Sequence, residues 1–118
     1  MTAALNPLAY EQARRLIEQG RFVHDEREAW SEHHPTTLRE NEFIEVHGFA
    51  AYGSWFLATN SAYKKGTRRH HELPYGDFRL VYRCALLAAQ SRAVETKHSE
   101  IEQAVARLLA LIEAGSAK

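Results

Sequence analysis

Phe49-Ala50-Ala51-Tyr52-Gly53-Ser54-Trp55-Phe56-Leu57-Ala58-Thr59 is the stretch on which the fold turns. Its apolar residues follow neither a helical nor an alternating period, and Gly53 interrupts a helix or a strand alike. These residues predict a turn at Gly53 followed by a short extended piece at Trp55 to Ala58. An isolated strand leaves backbone groups without partners, so the piece requires a neighbour elsewhere in the chain or in a second subunit.

Outward from this stretch the periodicity is helical. On the N-terminal side, Asn6 is placed to cap a helix over Pro7 to Gln19, with proline in the first turn, Gly20 past the end, and Ala9, Ala13, Leu16 and Ile17 on one face. Asp25 and Glu28 form a capping-box-like start for a short helix anchored by Trp30, which stops before Pro35. Thr36 or Thr37 caps a third helix that runs to Gly48.

On the C-terminal side, residues 60–76 have loop composition, with Asn60, Ser61, Gly66, Pro74 and Gly76 scattered among charges. Structureless segments of that length are unusual in a compact domain. The turn Pro74-Tyr75-Gly76-Asp77-Phe78-Arg79 leads into a helix predicted from Phe78 to about Ala93, with Asp77 as its cap and apolar residues around most of its circumference. In the last helix, Ser99 and Glu102 form a capping box, Ile101, Val105, Leu108, Leu109 and Ile112 make one stripe, and Gly115 follows the final turn. The expectation is a mainly α protein. Residues 1–118 form a single compact domain of four to five helices ending in an antiparallel helical hairpin, with a short irregular or extended aromatic segment, a long basic loop over 60–76, and flexible ends at 1–5 and 115–118.

Composition bounds the function. The 118 residues are 45% hydrophobic and 25% charged, which is ordinary for a globular domain. The chain has neither a run of about 18 apolar residues nor a signal-peptide pattern, so a cytoplasmic location without membrane contact is expected. One cysteine, Cys84, allows no internal disulfide and no structural zinc site of the usual cysteine type; its apolar surroundings make it a small core residue, and no base can be placed beside it. The net charge of zero is a cancellation: residues 1–63 carry five basic and nine acidic side chains, residues 64–98 carry eight and three, and residues 99–118 two and three. Such a split bears on partner choice and association rate.

Three kinds of site come from these residues. The preferred reading is protein–protein contact, as an adaptor, regulator or self-assembling subunit, through the aromatic centre and the turn: Tyr52, Trp55, Tyr75, Asp77, Arg79 and Arg83. Six aromatic residues between Trp30 and Phe56 exceed what a thin helical layer covers, which predicts a homodimer. The alternative is nucleic-acid or phosphate-ligand binding through the basic loop, where Lys64, Lys65, Arg68 and Arg69 stand among residues 64–71. The third is a small enzyme in which His47 serves as a base beside Tyr75 and Asp77. Seven histidines include the pairs His33-His34 and His70-His71, but adjacent residues on a helix diverge by about 100° and do not converge on one ion. The nearest approach to a ligand set is the neighbourhood of Asp25-Glu26 and Glu32-His33-His34. No metal and no cofactor is predicted.

The patterns Glu40-Asn41-Glu42-Phe43-Ile44-Glu45, His47-Gly48-Phe49-Ala50, Tyr52-Gly53, Trp55, Pro74-Tyr75-Gly76-Asp77-Phe78 and Arg83-Cys84-Ala85-Leu86-Leu87-Ala88-Ala89 resemble a small uncharacterised bacterial protein family. The resemblance covers roughly residues 13 to 113 and implies a bacterial cytosolic domain; it supplies no activity. Members of that family carry Tyr-Lys-Phe ahead of the Pro-Tyr-Gly-Asp-Phe run, where this chain has His70-His71-Glu72-Leu73.

Overall fold

The Trp55 to Ala58 piece does find its neighbours within the chain, and they turn a helical expectation into an α/β fold. The computed structural model describes residues 3–26 and 29–116, with side chains through 115. Among these, six helices and five strands follow one another: β1 (Ala3–Leu5), α1 (Pro7–Glu18), β2 (Phe22–Val23), α2 (Trp30–His33), α3 (Thr37–His47), α4 (Phe49–Gly53), β3 (Phe56–Asn60), β4 (His71–Pro74), β5 (Val81–Tyr82), α5 (Arg83–Glu95) and α6 (Ser99–Ser116), with a 3₁₀ turn over Arg68–His70 before β4. β3 is the middle of a three-stranded antiparallel sheet, paired with β1 through Leu5↔Ala58 and with β4 through Ala58↔Glu72. A second, two-stranded sheet joins β2 and β5 in parallel.

The mainly α expectation is corrected on that ground, and the reason lies in strand length. β1 holds three residues and β4 four, too few to show an alternating period, and β4 ends in proline. Residues 3–5, expected in a flexible end, instead pair with the central strand. The expected loop over 60–76 contains the 3₁₀ turn and β4. Met1, Thr2, Ala117 and Lys118 of the expected ends, and Glu28 of the expected capping box, lie outside the described residues.

Several caps are reassigned. Thr36 does cap α3, its hydroxyl accepting from Arg39 N–H at 3.2 Å, and Gly48 ends it at φ +91°. Asn6 does stand at the N-cap position of α1, its carbonyl accepting from Tyr10 N–H, but its side-chain amide makes no capping bond and instead donates to the carbonyls of Gly53 and Phe56, tying α1 to the bend before β3. α5 begins at Arg83 rather than Phe78, because Phe78 has φ +72° and Val81–Tyr82 is held extended against β2. Asp77 closes the turn before it, accepting from the N–H groups of Arg79 and Leu80. The cap of α5 comes from Asp25, 59 residues away, whose Oδ1 accepts from Cys84 N–H at 2.9 Å. At Gly76 an added Cβ would lie 2.1 Å from the Leu80 carbonyl oxygen, so only glycine lets this turn close.

α5 and α6 pack along each other, joined by a three-residue link in which Lys97 (φ +59°) and His98 donate to Val94 and Ala93 in a Schellman pattern. α6 runs through Gly115, where the Phe22 ring lies 3.1 Å from the position of a Cβ. The core is built from Ala9, Ala13 and Ile17 of α1, Phe56 to Ala58 of β3, Leu86, Ala89 and Ala93 of α5, and Ile101, Val105, Leu108 and Ile112 of α6. Leu109 of the predicted stripe is only partly covered.

Candidate functional site

A cleft runs between α1 and α3. It has a volume of about 390 Å³ and is lined by Gln12, Arg15, Leu16 and Gln19 of α1, Phe43 and His47 of α3, Ala51 of α4, and Ser54, Trp55 and Phe78. A second depression of about 200 Å³ shares Phe43, His47 and Phe78 with it and extends to Arg39, Glu42, Val46 and Arg79. Phe43 holds the two together: its ring stacks on Phe78 at 4.5 Å and packs against His47 at 4.6 Å. The positive φ of Phe78 is what presents this ring to α3 from a turn. A bulky residue in the left-handed region is a strained arrangement of the kind that concentrates at functional sites.

The rim is cationic and solvent-exposed. Arg15, Arg39, Arg79 and His47 are exposed, with Glu42 the acidic residue among the lining. Two large apolar side chains stand exposed on the same helices: Val46 at 73% in the second depression and Leu8 at 78%, one helical turn before Gln12 on α1. No residue of α3 is buried, so this helix presents apolar groups to both the protein and the solvent.

The predicted contact residues divide between core and surface. Tyr52, Trp55 and Tyr75 are buried; Trp55 reaches the cleft with one edge while stacking on Tyr75 at 5.0 Å. Tyr75 donates its hydroxyl to the Ser54 carbonyl and accepts from Gln12 Nε2, both at 2.9 Å. Its burial pushes the phenol far above its ordinary pKa of 10 despite the Gln12 bond. Burial, reinforced by Glu40, likewise raises Tyr52 to about 12. Asp77 is occupied by the turn and by the Tyr82 hydroxyl, 3.0 Å away. Arg79 stands at the rim, whereas Arg83 points elsewhere, bonding Glu113 at 2.8 Å and the Asp25 carbonyl at 3.0 Å.

Of the enzyme constellation, His47 lines both of these cavities. Arg79 joins it only in the smaller one, and neither is lined by Tyr75 or Asp77. Nor is the basic run uniformly open. Arg68 bonds Glu40 at 3.2 Å and Asn41, with its guanidinium 5.8 Å from the centre of the Tyr52 ring, and Arg69 lies over Tyr63. Lys64 and Lys65 are exposed.

A second constellation forms around Asp25. Its Oδ2 is 2.8 Å from His33 Nδ1 and accepts the Cys84 thiol at 3.1 Å, while Oδ1 takes Cys84 N–H. Burial first, and then the Asp25 carboxylate, push the thiol up to about 12. That leaves a protonated thiol, unsuited to nucleophilic attack as it stands. The neighbourhood of Asp25 and His33 is visible in sequence as two nearby polar clusters. Its third member is not, because Cys84 arrives only when β5 pairs with β2 and brings the start of α5 beside Asp25.

No protein-family model matches this chain, and no curated protein and no solved structure is similar to it. Its function therefore rests on geometry and chemistry alone.

Proposed function

We propose that this chain is a binding protein that acts by protein–protein contact, taking a short amphipathic, acidic segment of a partner into the cleft between α1 and α3. One observation carries the reading: an aromatic floor of Phe43, Phe78 and the edge of Trp55, continuous between two depressions, with Arg15, Arg39 and Arg79 on its rim. Aromatic groups in a concave site supply contact area, and arginines supply direction and charge selection. Exposed Leu8 and Val46 extend the apolar surface beyond the cleft. Self-association is one form such contact could take, but surplus aromatic surface does not argue for it, since the six aromatics between Trp30 and Phe56 are all at least partly covered within one chain.

The test is a panel of amphipathic peptides with one apolar pattern and either acidic or basic polar faces, titrated against the full chain and followed by tryptophan fluorescence. Acidic peptides should bind and basic ones should not. The double charge reversal Arg15→Glu with Arg79→Glu should weaken the acidic peptides at least about tenfold, because like charges across an interface are strongly penalised. Equal binding of both peptide classes, or binding of neither, would remove the reading. Sedimentation of the chain alone at high micromolar concentration reports whether a second copy fills the same surface.

A further inference from the structure

We infer that Asp25, His33 and Cys84 form a binding site for a single transition-metal ion of the zinc class. The candidate ligand atoms, one from each side chain, all lie within 4.8 Å of one another, the separation at which three groups can share one ion. They come from three parts of the chain, the segment after β2, the helix α2 and the first turn of α5, so no local sequence spacing announces them. Each is already oriented. Cys84 N–H fixes the Asp25 carboxylate through Oδ1, which leaves Oδ2 directed at both His33 and the thiol. The His33 ring is held 5.1 Å from the Tyr82 ring, and Tyr82 is anchored to Asp77.

The donor set selects the ion. A thiolate, an imidazole and a carboxylate suit zinc and its first-row neighbours, whereas calcium and magnesium require oxygen ligands throughout. Three protein ligands leave a fourth position for water or for a donor from a bound molecule, which is the open arrangement and not the closed structural one. Arg83, which bonds the Asp25 carbonyl, does not oppose occupancy on its own, because its guanidinium is met by Glu113 at 2.8 Å. Access is through the carboxylate and the ring, since Cys84 is fully buried while the side chains of Asp25 and His33 are 13% and 36% exposed. Binding balances simply: the thiol proton that Asp25 now accepts as a hydrogen bond leaves to solvent, a sulfur–metal bond replaces it, and a neutral His33 moves its ring proton away from the nitrogen that coordinates.

The experiment is a titration of the full reduced chain with cobalt(II) alone, and separately with zinc(II) alone, near pH 8 where free histidine is neutral. One equivalent of cobalt should bind with a thiolate-to-cobalt charge-transfer band and release one proton per ion, as zinc should when added to the metal-free chain, and zinc should displace bound cobalt with no further proton release. His33→Ala should weaken binding at least about tenfold, the scale on which even supporting groups of metal sites act, and its metal-free circular dichroism shows whether the fold is kept. Cys84→Ala should remove the charge-transfer band, and its metal-free circular dichroism shows whether the fold has survived. The inference is overturned if no cobalt binds, if it binds without the charge-transfer band, or if His33→Ala binds as tightly as the unaltered chain; the last two results would assign the ion to surface histidines.

Discussion

At the scale of single residues, His71 shows how a polar side chain can be both required and uncomfortable. Its ring fills the space that Gly53 leaves open: a Cβ on Gly53 would fall 2.6 Å from Cε1, and the rings of Phe49, Tyr52 and Phe56 surround it at 5.3 to 6.0 Å. Nδ1 is buried without a hydrogen-bond partner. Desolvation, helped by His70 alongside, lowers the pKa of His71 below its ordinary value of 6.5, so the folded state favours the neutral ring. The sign follows from proton counting: below the unfolded value the unfolded chain binds a proton that the folded chain resists, and stability falls. The contribution is whole above about pH 6.5 and is lost as the pH drops toward the folded value. Urea titrations between pH 7.5 and 5 should therefore show a decline in midpoint that is smaller in His71→Phe, a ring of similar size with nothing to protonate. An identical decline in both proteins would place the acid sensitivity elsewhere.

At the scale of elements, the C-terminal helix offers the sharpest comparison. Ile101, Val105, Leu108 and Ile112 are buried, but Leu109 rests at the edge of the core. Leu108→Ala should cost about 2 to 5 kcal/mol in a denaturant titration, and Leu109→Ala clearly less, because a half-covered site leaves little cavity behind. A Leu108 loss below about 0.5 kcal/mol, or equal losses at both positions, would mean that α6 packs differently. This helix also marks what sequence alone could reach. A stripe over several turns is strong evidence, as are Thr36 and Gly48 at the ends of α3, since each acts through its immediate neighbours. Ala3–Leu5 and His71–Pro74 carry no such information. Their strand character exists because Phe56–Asn60 lies between them, and a pairing partner distant along the chain leaves no periodic mark. The start of α5 is displaced for the same reason, since its cap is Asp25. The candidate site follows the same division. His47 and Arg79 stand out by residue type, whereas the Phe43 to Phe78 stack and the placing of Cys84 beside Asp25 and His33 depend on tertiary packing.

For the molecule as a whole, the uneven charge along the chain is partly neutralised inside the fold. Arg68, from the basic middle, reaches Glu40 of the acidic first half, and Arg83, also from the middle, reaches Glu113 near the C-terminus. Glu40 shows what that pairing faces: burial holds its carboxyl above the usual range, and the Arg68 charge opposes the shift without cancelling it. The four cations of the basic loop should therefore not be equivalent. Lys64→Ser, Lys65→Ser and Arg69→Ser combined should change stability by less than about 0.5 kcal/mol, as exposed charges do. Arg68→Ser should cost roughly 1 kcal/mol, because it removes the ion pair to Glu40 and the cation over Tyr52 together. Thermal melts of the two variants separate these outcomes, and a large fall in the triple variant with none in Arg68→Ser would show that the loop packs otherwise. The same proteins weigh the polyanion alternative against the cleft. With Arg68 engaged by Glu40, three cations remain to meet phosphate, and the triple variant can flatten the logarithmic salt dependence on duplex DNA by at most about 2.7, at about 0.9 for each phosphate no longer neutralised. The expected result is no appreciable DNA affinity in either protein. Steep, salt-dependent binding by the unaltered chain that the triple variant abolishes would move the functional surface from the α1–α3 cleft to this loop.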